Sequence, residues 1–118
     1  MANDFKRFCV PDVGTSLTTL YTVPAGSASS ALESIVIGIT MANKSTSGIT
    51  ASIFIDNEDG SNDVYIVKDA NIPAGASLEV MSGNKLVLMN DGSNADNLEG
   101  IASATSSLDV TVSVLEDV

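Results

Sequence analysis

The feature that most constrains this chain is a rhythm. Runs of β-branched and aliphatic residues recur about every ten residues, separated by Gly, Pro, Asn and Ser, which is the signature of an all-β sandwich or jelly roll. No window repeats apolar residues at the 3.6-residue period of an amphipathic helix. The densest example is residues 63–88, DVYIVKDANIPAGASLEVMSGNKLVL. Residues 64–67 are β-branched and aromatic, as a strand wants. Residues 72–75, IPAG, read as a turn, with Pro73 fixing φ at the second position and Gly75 able to supply φ > 0. Residues 78–81 extend again, residues 82–84 turn, and residues 85–89 extend a third time.

Further strands are predicted at residues 17–23, 33–42, 49–56, 98–104 and 108–115. In residues 33–42, Ile35, Ile37, Ile39 and Met41 fall on one face and Val36, Gly38 and Thr40 on the other. Both faces are apolar or small, which predicts a central strand. Residues 49–56 alternate, with Ile49, Ala51, Ile53 and Ile55 inward and Thr50, Ser52 and Asp56 outward; Phe54 sits outward and breaks the pattern. Ile101 is the expected core residue of its strand, and Leu108, Val110, Val112 and Val114 share a face of the last one. The predicted fold is all-β: an antiparallel β-sandwich, jelly-roll-like, with about eight strands and negligible helix. Its expected core is Ile35, Ile37, Ile39, Ile53, Ile55, Val67, Leu78, Val80, Leu86, Leu88, Val110, Val112 and Val114. At 118 residues the chain fits one domain. Residues 1–11 read as an N-terminal arm or edge strand, and residues 12–118 as a single β-sandwich domain.

Charge and residue usage narrow the chemistry. Fifteen acidic residues against five basic ones give a net charge of −10, which repels nucleic-acid phosphates and anionic membrane surfaces alike. No apolar run approaches the ~20 residues of a membrane span. The first residues lack a signal-peptide apolar core, and Cys9 is the single cysteine. Synthesis in a cytoplasm without reliance on oxidation is therefore expected. There is no histidine, which removes the commonest general base and metal ligand. Two acidic loops, around residues 56–63 and 91–97, hold oxygen ligands but not in calcium-loop order, and they read as solvated turns. No carboxylate pair has an aromatic platform for a sugar, and no phosphate-binding loop is present. Asn43-Lys44-Ser45 fits a glycosylation sequon. No enzyme, no cofactor and no metal site are expected.

One stretch of residues has a family likeness. Tyr65-Ile66-Val67-Lys68-Asp69-Ala70-Asn71-Ile72-Pro73-Ala74-Gly75, then Leu78-Glu79-Val80 and Gly83-Asn84-Lys85-Leu86-Val87-Leu88, resembles small all-β virion structural proteins of tailed bacteriophages, especially those of marine bacteria. The shared pattern is a strand ending in V-K-D-A, a P-A-G turn and a short run before G-N-K-L-V-L. Residues 20–26 and 109–116 also fit; residues 1–15 lie outside the pattern. The resemblance implies a non-enzymatic virion structural protein, made in the host cytoplasm. A head decoration or cement protein binding the outside of the capsid is the first expectation. A neck or tail-fibre component is the alternative, and a receptor- or glycan-binding module is a further one. Its partners would be the major capsid protein or another virion protein, with self-association in symmetric clusters such as trimers.

For the partner contact the sequence points to Phe5, Lys6, Arg7 and Phe8. These concentrate two of the three Phe and the only Arg in a chain poor in aromatic and basic residues. Phe and Arg are the types in which interfaces concentrate their energy. The alternative is that Phe5 and Phe8 cover the protein's own core as a first strand.

Overall fold

In the computed structural model, which describes residues 3–26, 31–56, 63–81 and 85–117, the alternating runs become nine strands. These are β1 (Asn3–Val13), β2 (Thr18–Thr22), β3 (Leu32–Asn43), β4 (Ile49–Asp56), β5 (Asp63–Ile72), β6 (Ser77–Glu79), β7 (Leu86–Asn90), β8 (Asn97–Ala102) and β9 (Leu108–Asp117). The described residues contain no helix. The turn expected at 82–84 and most of the acidic loop around 56–63 lie outside the described residues.

All pairings are antiparallel, and they build two sheets. One has the order β1-β9-β3 with β6 and β7 both on the far edge of β3; the other runs β2-β8-β4-β5. The strands β6 and β7 lie end to end along β3, opposite residues 40–42 and 32–36, and the Val80 amide bonds the Ile39 carbonyl between them. Taken as one interrupted strand, they make eight strands whose sheets interleave as 1-8-3-6 and 2-7-4-5. That is the order of a jelly roll, in which the chain passes repeatedly between the two layers. Val36, Ile39, Met41, Val110, Val112 and Val114 from the first sheet meet Leu20, Tyr21, Ile53 and Leu98 from the second in one buried core. Gly100 on β8 has no side chain because Leu20 occupies the space: a Cβ there would stand 3.2 Å from Leu20 Cδ1.

Four details differ from the sequence expectation. In β3, Val36 pairs with Val114 and Gly38 with Ser113, so Ile37 is an extra residue. This β-bulge shifts the alternation by one. Leu32, Ser34 and Val36 therefore point inward before it, and Ile39, Met41 and Asn43 after it, while Ile35 is half-buried and Ile37 exposed. In β4, Phe54 is outward but buried, because Tyr65 on β5 lies across it with ring centroids 5.3 Å apart. In β8 the inward set is Leu98, Gly100 and Ala102, leaving Ile101 half-buried on the outer side. The turn after β5 is one residue later than expected. The Ala76 amide bonds the Pro73 carbonyl, and Gly75 takes φ +72° at the third position, as a type II turn requires.

Candidate partner-binding surface

Strand β1 is the outer edge of the first sheet, paired with β9 from Asn3↔Asp117 to Val13↔Leu108. A strand turns successive side chains to opposite faces, and this divides the four residues singled out above. Phe5 and Arg7 point away from the sandwich and are exposed. Lys6 and Phe8 point toward its mouth, between β1 and β2. Phe8 is half-buried against the core, its ring 5.0 Å from that of Tyr21. The structure thus brings the four together in sequence but places them on two surfaces.

The inward surface closes over a buried acid. Glu116 is 2% exposed. Its Oε2 accepts a 2.5 Å hydrogen bond from the Tyr21 hydroxyl, which also lies 2.8 Å from Ser34 Oγ. Its Oε1 has the Lys6 ammonium 2.8 Å away and no other partner among the described residues. Burial, and then the Glu116 carboxylate, push the Tyr21 hydroxyl well above its usual pKa, with Ser34 pulling the other way. The hydrogen bond to Glu116 likewise raises Lys6. A cleft of about 380 Å³ opens beside this cluster, lined by Lys6, Phe8, Thr19, Tyr21 and Glu116 among others. Every charged group in it is already engaged with another side chain of the chain, so the arrangement acts as a lock between the β1 edge, β9 and β2. Sequence reading missed Glu116. Carrying the alternation of Leu108, Val110, Val112 and Val114 two residues further places it inward.

The outward surface is the more unusual one. The register aligns Phe5, Leu115, Ile35 and Val87 in a row across β1, β9, β3 and β7. Ile37 follows on one side of the row and Met89 on the other. Phe5 is 74% exposed, Val87 55%, Met89 49% and Ile37 40%. These are four of the seven large apolar side chains that stand most exposed among the described residues. Arg7 and Lys85 flank the row on the Ile37 side, Glu33 on the Met89 side. The row is thus apolar and continuous across one face, with charge at its rim.

Several other residues considered for chemistry make contacts within the fold. Asp91 Oδ1 accepts the amides of Ser93 and Asn94, and the buried Asp96 accepts that of Met89, which makes this loop a capped turn. Asp56 and Asp63 pair across β4 and β5 beside Glu99, whose pKa is raised by burial first and by these two charges second. No group of three or more acidic or cysteine side chains among the described residues is placed to hold a metal ion. Asn43 of the sequon is buried, its amide donating to the carbonyls of Ser47 and Ile72 and accepting from Ser45. In the folded chain this nitrogen is committed to the β3–β4 turn and to the end of β5.

No protein-family model and no curated protein matches the sequence. The fold has a viral likeness. A chain in the crystal structure of the T13 IBDV viral particle matches with a TM-score of 0.51 at 10% identity, over 96% of this chain and 31% of that one. A chain of the infectious bursal disease virus Gx strain structure matches with a TM-score of 0.46 at 14% identity, over 97% of this chain and 38% of that one. This chain spans about a third of the length of those solved chains. At such identity the first match speaks for a shared fold alone.

Proposed function

We propose that this protein is a non-enzymatic structural component of a virus particle, and that it decorates the outside of a tailed-phage head. The observation that carries the reading is this chain's jelly-roll strand order, taken with a fold match at a TM-score of 0.51 over 96% of the chain to a chain of a virus particle. The V-K-D-A, P-A-G and G-N-K-L-V-L likeness to phage virion proteins points the same way. The side chains support it as well. The buried polar groups lock strands together, the exposed apolar residues concentrate on one sheet face, and the net charge of −10 keeps the remaining surface solvated. A decoration protein stabilises a shell by adding contacts that exist only in the assembled state, and repetition on a lattice multiplies weak contacts. The partner on this reading is the major capsid protein, contacted in many symmetric copies.

The test is localisation. Purified particles carrying this protein are expected to show it by mass spectrometry, and cryo-electron microscopy to show jelly-roll density on the outer head surface. Density at the neck or tail fibre would replace the decoration role by another structural one. Particles that lack the protein altogether would overturn the virion assignment.

A further inference from the structure

We infer that the outer face of the β1-β9-β3-β7 sheet binds a second copy of this chain, face to face, about a two-fold axis lying along the Phe5–Leu115–Ile35–Val87 row. The inference does not depend on the virion reading. It follows from where the register puts charge. Successive outward rows along a strand are about 7 Å apart. One row beyond the apolar one on the Ile37 side stand Arg7, on β1, and Lys85, just before β7. One row back on the other side stands Glu33, on β3 beside Met89. The row next above the apolar one is therefore basic and the row next below it acidic, with Glu79 a further row up beside Thr40.

That polarity selects the symmetry. A two-fold axis along the row lays each strand on the same strand of the mate, running the opposite way. The basic side of one copy then meets the acidic side of the other. Lys85 comes beside Glu33 of the mate, one strand spacing away, and the symmetry makes that contact twice, as an isologous interface requires. An axis along the strands would instead set β1 over β7 and Arg7 against Lys85, a like-charge contact. Two sheets packing at about −30° across ~10 Å leave room for these side chains to interdigitate. Within one copy, Glu33 and Lys85 are two rows apart, about 13 Å along the strands, and form no ion pair among the described residues.

The area sets the strength. Four strands about 4.8 Å apart and three to five rows give a face of roughly 400–670 Å², below the roughly 800 Å² per partner of a standard interface. The net charge of −10 on each copy opposes pairing. The dimer is consequently weak, and it strengthens as salt screens the overall repulsion.

Sedimentation equilibrium of the full chain, from low micromolar to about 1 mM, tests this. A monomer–dimer equilibrium is expected, tighter at roughly 0.3 M than at 0.05 M NaCl. Val87→Asp and Phe5→Ser alter exposed side chains, and circular dichroism will show whether the fold persists; each is expected to weaken the dimer tenfold or more. Glu33→Lys and Lys85→Glu are each expected to weaken it severalfold, and the double swap to restore it, since only a contact between copies pairs the two. A chain that stays monomeric throughout overturns the inference. So does a dimer indifferent to Val87→Asp. Failure of the double swap to restore pairing refutes the two-fold arrangement.

Discussion

Removing one hydroxyl group should cost this sandwich a measurable share of its stability. Tyr21 and Glu116 are both nearly inaccessible, and the hydroxyl bridges Glu116 Oε2 at 2.5 Å and Ser34 Oγ at 2.8 Å. Tyr21→Phe keeps the ring, including its packing on Phe8, and deletes only the bridge. A hydrogen bond to a charged group contributes about 1.5–3 kcal/mol, and a buried group left without its partner adds to the loss. The expected cost is about 2 kcal/mol, which for a domain of this size lowers Tm by roughly 8 °C. Urea unfolding followed by far-ultraviolet circular dichroism reads it as a lower midpoint with an unchanged slope. Glu116→Leu removes the other end of the bridge, and the Tyr21 hydroxyl keeps Ser34. The double variant takes both polar ends out of the core together, so its cost should fall short of the sum by about 1 kcal/mol or more, the mark of directly coupled groups. A Tyr21→Phe cost under about 0.5 kcal/mol, or an additive cycle, would refute the view of this cluster as a lock.

Other perturbations follow from the same geometry. Because the Glu99 pKa is raised in the folded state by burial and by Asp56 and Asp63, the folded chain binds that proton more tightly than the unfolded one. Its contribution is present below the unfolded pKa and is lost as pH rises through the folded one; Glu99→Gln should flatten this part of a stability–pH curve and raise the denaturation midpoint at neutral pH. Asn43→Ala strips a buried side chain from the Ser47 and Ile72 carbonyls and should cost about 2–3 kcal/mol by denaturant unfolding. Gly100→Ala forces Leu20 aside, at about 1–2 kcal/mol in the same assay. Deleting residues 2–9 takes away most of β1 and uncovers the β9 edge beneath Phe8, so that variant should lose cooperative unfolding by circular dichroism, leaving Phe5 substitutions as the cleaner probe of the surface.

Where local pattern decided structure, the sequence was sufficient. Residues 49–56 are a strand with the bounds the alternation implies, and Val110, Val112 and Val114 are buried together. What went unread depends on neighbours distant in sequence. The bulge at Ile37 is enforced by pairing with β9, across more than seventy positions; nothing between Val36 and Gly38 signals an inserted residue. Phe54 is buried because a tyrosine on the adjacent strand covers it, a contact set by the β4–β5 register. The candidate site shows the same division. Phe5, Lys6, Arg7 and Phe8 were grouped by composition, while the strand period of two assigns them alternately to the rim of the sandwich and to its outer face. Ile35, Val87 and Leu115 complete that face, yet they belong to three strands and become neighbours only through the sheet order.

The β1 edge explains why association beside it should use the sheet face. An open edge strand is a template for pairing with another chain unless the protein blunts it. On β1 three blunting devices occur within eight residues. Lys6 is a charge turned toward the sandwich mouth. Pro11 has no amide to offer. Asp12, at φ +59°, sits in a register break between Val10 and Val13. That break is pinned by its amide on Asp109 and by the Lys44 ammonium, which is ion-paired to both Asp12 and Asp109. A strand so arranged resists extension of its sheet by a stranger. No such charge interrupts the outward row from Phe5 to Val87, so beside a blunted β1 edge the apolar contact on offer to a second molecule is the face proposed above.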